Sequence, residues 1–171
     1  PPRPPPLPPP RTRRRDPPRR RVPPTPAAEA ALAPAAVAVH GGFWDARREV
    51  NARISIPQGP GLLESAGNLR NLRLAAGTGE GEFQGAYPFV DSDVYKWLEA
   101  AAWQLARTPD GGLADEVARI VSLVAAAQQD DGYLNTWFQL LKGGARYQDL
   151  RWGHELYCAG HLIQAAVAHH R

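Results

Sequence analysis

The chain has 171 residues, with 20 Lys and Arg against 17 Asp and Glu and a net charge of +3. That charge is unevenly placed: residues 1–40 hold eight arginines and two acids, while residues 41–171 are net −3 and hold all sixteen glycines and all fourteen Phe, Trp and Tyr. A mildly acidic aromatic segment excludes reading the whole as a basic nucleic-acid binder, and a single cysteine, Cys158, excludes an intramolecular disulfide framework and a multi-cysteine zinc site within the chain; no apolar run approaches the length of a membrane span.

Residues 1–40 contain fourteen of the 18 prolines and no aromatic residue. Such a segment cannot bury enough apolar area to offset its ordering entropy, so a disordered Pro/Arg-rich tail is expected. Two other readings compete. Pro4 to Pro10 has the form of a proline-rich ligand for an aromatic groove. Thr12-Arg13-Arg14 ahead of the Ala-rich stretch 27–39 has the outline of an export signal, although Glu29 and Pro34 interrupt the apolar region. A cytoplasmic location is expected, with export as the alternative. The absence of Met at position 1 and the lack of a helix stop before Arg171 suggest a piece of a longer protein.

From residue 41 the composition is globular, and residues 41–171 are read as one domain. A first helix is expected over residues 61–76, with Leu62, Leu63, Leu69, Leu72 and Ala76 apolar, followed by a loop with Gly77, Gly79, Gly81 and Gly85. The next signal is clearer. Asp91, Ser92 and Asp93 supply a cap and acids near a positive helix end. Val94, Trp97, Leu98, Ala101, Ala102 and Leu105 follow at helical spacing, until Thr108-Pro109-Asp110-Gly111-Gly112 stops the helix. A third helix carries Leu113, Val117, Ile120, Val121 and Val124 on one face and ends near Gln128–Asp131. After an irregular stretch with Gly143-Gly144, a fourth runs from about Gly153 to His169. No strand alternation of any length is present. The class is all-α, built of helical hairpins.

The fourth helix has two contrasting faces. Leu156, Gly160, Ile163 and Val167 form one stripe, expected to be the core stripe. Opposite lie His154, Cys158, His161 and Ala165, so this helix is either buried on both sides or lines a cavity with its second face.

Each group with chemical potential also has a plainer reading. His154-Glu155 begins a zinc-protease motif, but the next histidine, His161, is seven residues on rather than four. His154, Cys158 and His161 are zinc-ligand types on one face, yet the outer two are about 10 Å apart along a helix axis, so a complete metal site is not expected. Cys158 next to a histidine has the makings of a nucleophile, but a buried inert thiol is the simpler reading. Asp91 and Asp93 are an acid/base pair or a cap with a dipole partner. Asp130 to Thr136 is a polar turn at a helix end. Gly79, Gly81 and Gly85 lack the strand and Lys-Ser/Thr of a phosphate loop.

The order of motifs resembles glycoside hydrolase family 127, the β-L-arabinofuranosidase family. The resemblance is carried by Gly42-Phe43-Trp44-Asp45, by the run from Asn71 to Gly77, and by Phe83-Gln84-Gly85 leading into the run from Asp91 to Ala100. It continues in the run from Ala127 to Thr136 and in that from His154 to Ile163. Residues 1–40 have no counterpart. The resemblance implies that residues 41–171 are the first part of an α/α toroid, followed in complete members by β-sandwich domains. It implies retaining hydrolysis of terminal β-L-arabinofuranosyl linkages, with a carbohydrate carrying terminal L-arabinofuranose or a related sugar as partner and no nucleic acid or membrane. It also implies a zinc-bound cysteine nucleophile, with a Glu and further cysteines as metal ligands. Those motifs lie downstream in the family, so this chain alone is expected to be inactive, and Cys158 does not hold the nucleophile's place. His154 matches a sugar-contacting histidine. Asp91, Asp93, Asn135 and Glu155 are rim or support candidates. A sugar-contacting glutamine of one branch falls near Pro60 here, so that contact is not carried over. The rival reading is a non-catalytic helical interaction module with a Pro/Arg-rich docking arm.

Overall fold

A computed structural model describes residues 33, 36–143 and 145–170. The tail expected over residues 1–40 therefore lies outside the described residues, apart from residue 33 and residues 36–40. The described chain is helical, with no strand among its residues. Its α-helices are α1 (Gly42–Val50), α2 (Ile56–Ser65), α3 (Asn68–Ala75), α4 (Asp91–Arg107), α5 (Gly111–Ala127), α6 (Thr136–Leu141), α7 (Leu150–Gly153) and α8 (Glu155–His170). None is long and apolar enough to cross a membrane.

The helix expected over residues 61–76 is corrected in two ways. A helix breaks at Gly67, which sits at φ +86° between α2 and α3. A Cβ there would also meet the Gln84 side chain at 2.5 Å, so both conformation and space call for glycine. Upstream, where no helix is expected, α1 runs into α2 through a π-helical turn at Asn51–Ser55, making residues 42–65 one helical rod that continues through Pro57, Gly59, Pro60 and Gly61, residue types that oppose a helix locally. The reason is tertiary. Pro60 has no N–H for the Ile56 carbonyl one turn back, and the indole N–H of Trp97 on α4 donates to that carbonyl instead, at 2.9 Å. Gly59 makes the approach possible, since a Cβ there would lie 2.0 Å from the Trp97 ring.

Helix α4 lies at the centre, packed on α2, α3, α5 and α8. Its expected apolar face is buried: Val94, Trp97, Leu98, Ala101 and Ala102, with Leu105 partly so. Tyr95 is buried as well. Helix α5 places Val117, Ile120 and Val124 in the same core, and the Asp110 side chain caps it by accepting the Leu113 N–H at 3.0 Å.

Helix α8 reverses the expected stripe. Cys158, Ala165 and Ala168 are buried, while Leu156, Ile163 and Val167 are 62%, 63% and 48% exposed. Small side chains let α8 lie close on α4, where Ala101 and Ala102 are small too; the larger residues would hold the axes apart.

Candidate functional site

The N-terminal ends of α4, α6 and α8 come together, with residues 88–91, 135–136 and 154–155 at the junction. Pro88 is the pivot. It is fully buried, and its carbonyl accepts from Asn135 Nδ2 at 3.1 Å and from Cys158 Sγ at 3.9 Å.

Asp91 was expected to help cap α4, but that N-cap position is Val90, with no side-chain cap. The Asp91 carboxylate instead turns inward and binds Thr136. It accepts from the Thr136 N–H at 2.7 Å and from the Thr136 hydroxyl at 2.6 Å. Burial raises its pKa to about 6, against the lowering effect of those two hydrogen bonds. Asn135 is buried and caps α6, its Oδ1 facing the Phe138 N–H at 3.3 Å. Glu155 is buried at the start of α8, where it accepts from the Tyr133 hydroxyl and, at 2.7 Å, from the Tyr147 N–H. Asp91, Asn135 and Glu155 thus have their polar atoms engaged in holding helix starts and loops together. Asp93 is exposed and faces Lys96 Nζ at 3.5 Å.

His154 is different. It is only partly buried and sits between α7 and α8 in the left-handed region at φ +53°, an uncommon place for a non-glycine residue. Its Nδ1 is within hydrogen-bond distance of the Trp152 carbonyl. A carbonyl only accepts, so Nδ1 carries the hydrogen and Nε2 is the acceptor of the neutral ring. Phe89 flanks the imidazole with ring centroids 5.1 Å apart, and Tyr157 meets it edge-on at 6.0 Å. Helix α8 thus begins with an oriented histidine whose second nitrogen can accept from a hydroxyl.

Tyr157 lies one turn along α8 and packs on His161 at 4.6 Å. The Lys96 ammonium lies 5.2 Å from its ring centroid. Hydrogen bonding to Tyr157 and the nearby Asp93 raise the Lys96 pKa. Sequence reasoning singled out neither Lys96 nor Tyr157. The i, i+3, i+7 spacing of His154, Tyr157 and His161 was the available signal for Tyr157.

Cys158 does not have the surroundings of a thiolate. It is buried, and burial pushes its pKa up to about 12, with the negative Asp91 adding to the effect. Among the described residues no group of three or more His, Cys, Asp or Glu could hold a metal ion.

Comparison with known proteins matches residues 36–171 to the family model described as β-L-arabinofuranosidase, GH127 catalytic domain. A non-reducing end β-L-arabinofuranosidase of Bifidobacterium longum subsp. longum is 40% identical over 152 residues, covering 75% of this chain and 23% of the relative. A crystal structure of a GH127 β-L-arabinofuranosidase from Geobacillus stearothermophilus T6 superposes with a TM-score of 0.74 at 41% identity, over 77% of this chain and 22% of that one. A GH127 β-arabinofuranosidase superposes with the same TM-score, 0.74, at 31% identity over 81% of this chain and 23% of that one. The chain thus spans under a quarter of the length of these relatives.

Proposed function

The chain belongs to the GH127 β-L-arabinofuranosidase catalytic-domain family, and on that premise we propose that it forms the opening part of a retaining glycoside hydrolase acting on terminal β-L-arabinofuranosides. Membership favours this reading over a non-catalytic interaction module. The observation that carries the site is His154, held by the Trp152 carbonyl through Nδ1 and flanked by two rings, which leaves Nε2 as the acceptor of the neutral imidazole.

In this reading His154 accepts a hydrogen bond from a hydroxyl of the terminal sugar and fixes the orientation of that ring. Asp91, Asn135 and Glu155 act beneath it as braces. They lock the starts of α4, α6 and α8, and a shift of one start would move the imidazole. Zinc belongs to this reading only as the metal that the resemblance gives to complete family members. The 171-residue chain by itself supplies sugar contacts and no nucleophile.

The test is turnover of p-nitrophenyl β-L-arabinofuranoside. The protein expressed from its gene is expected to hydrolyse it and residues 1–171 alone to leave it intact. His154→Ala in the active protein is expected to lower kcat/KM by about 10²-fold, the scale of a lost hydrogen bond plus lost orientation. Turnover by the purified 171-residue chain, or an unchanged kcat/KM in His154→Ala, would sink this assignment.

A further inference from the structure

Five rings run without a gap along one side of the site. Tyr87 stacks on Phe89 at 5.1 Å and 14°, Phe89 meets His154 at 5.1 Å, His154 meets Tyr157 at 6.0 Å, and Tyr157 meets His161 at 4.6 Å. The proposed function uses the middle of this row. Its outer end, Tyr87, has no part in that reading.

Tyr87 is 57% exposed, although the loop that carries it is firmly anchored. Its neighbour Pro88 is fully buried and its carbonyl is held by Asn135 and Cys158. Phe89 packs against the hydrophobic core. One face of the Tyr87 ring is taken by Phe89, and the rest is presented to solvent by a scaffold that costs little further entropy to order.

We propose that the outer face of Tyr87 is a carbohydrate-stacking platform for the sugar residue linked to the one that His154 holds. The apolar C–H face of a sugar is attracted to the electron-rich face of a tyrosine ring. The side of the row is decided by exposure and attachment. Tyr157 is 43% exposed, lies on α8 and is tied to Lys96, whereas Tyr87 is on the loop and more open. A saccharide that has its terminal residue at His154 and continues past Phe89 meets the exposed Tyr87 ring next. Tyr87 is two ring contacts from His154, through Phe89. This inference rests on the glycoside hydrolase reading and extends it to the leaving-group side, where binding energy remote from the reacting bond is available to catalysis.

The test compares methyl β-L-arabinofuranoside with a β-linked L-arabinofuranosyl disaccharide, using the protein expressed from its gene. Tyr87→Ala is expected to raise KM for the disaccharide about tenfold and to leave the methyl glycoside within about twofold, while Tyr87→Phe behaves as the wild type. Tyr87→Leu, which keeps apolar bulk without a flat face, should follow Tyr87→Ala and serves if the alanine variant folds poorly. Equal changes for both substrates, or none, overturn the platform and leave the hydrolase reading standing. A wild-type protein that hydrolyses neither substrate overturns both.

Discussion

The Asp91 carboxylate is buried and stabilised by two hydrogen bonds from Thr136, with no ion pair to it among the described residues. Tyr95 and Cys158 are the titratable groups set against it, and burial raises the pKa of each. The pKa of Asp91 is about 6 in the fold against an ordinary 3.8. The folded state therefore binds the proton more tightly than the unfolded chain, and between these values it carries more of it. Stability from this group is fully present below about pH 4 and falls as pH rises towards 6, by roughly 3 kcal/mol. Asp91→Asn is expected to remove that loss, keeping one acceptor for Thr136 while discarding the charge. Urea unfolding from pH 4 to 7 checks it; parallel pH profiles for wild type and variant would refute it. The same residue shows a limit of sequence reading. Asp91 at a helix start has the pattern of a cap, but its hydrogen-bond partner, Thr136, is 45 residues away.

Among the elements, α4 and α5 were legible because each has one apolar face, and one core covers it. The rod formed by α1 and α2 was not. Local signals at Pro57, Gly59, Pro60 and Gly61 argue for a break, and only Trp97, approaching over Gly59, overrides them. Gly59→Ala is accordingly expected to destabilise the fold by about 3 kcal/mol, because a side-chain carbon there overlaps the indole. Trp97→Phe keeps an aromatic side chain, smaller than the indole, but leaves the Ile56 carbonyl without its donor, a cost of about 1–3 kcal/mol. Pro60→Ala supplies a backbone N–H to that carbonyl, so Trp97→Phe should cost less in the Pro60→Ala background. Denaturant midpoints of the four proteins in this cycle measure the coupling, and additive losses would show that Trp97 does not stand in for the missing N–H.

For the whole molecule, the outward stripe of α8 has a physical consequence. Leu156, Ile163 and Val167 are exposed along one side of the helix, an apolar strip of the kind that drives association. The 171-residue chain is expected to bind ANS and to self-associate in size-exclusion chromatography. Replacing Ile163 with Glu and Val167 with Lys should lower both without reducing the melting temperature, since neither side chain lies in the core. A monodisperse wild-type monomer that leaves ANS dark would contradict the expectation.

Periodicity and stop signals in the sequence determined the helical class, the buried faces of α4 and α5, and, through ordered motifs, the family. Those features are local, because residues one turn apart share a face whatever that face meets. The tertiary structure decided which face of α8 is buried, since angular grouping separates two stripes without saying which meets a partner; the small Cys158 and Ala165 won by allowing close approach to α4. It also turned Asp91, Asn135 and Glu155 inward onto Thr136, Phe138, Tyr133 and Tyr147, and set His154 Nδ1 against the Trp152 carbonyl. The burial of α8 and the turn of Asp91 depend on contacts between elements distant in sequence, and no local pattern records which elements will meet.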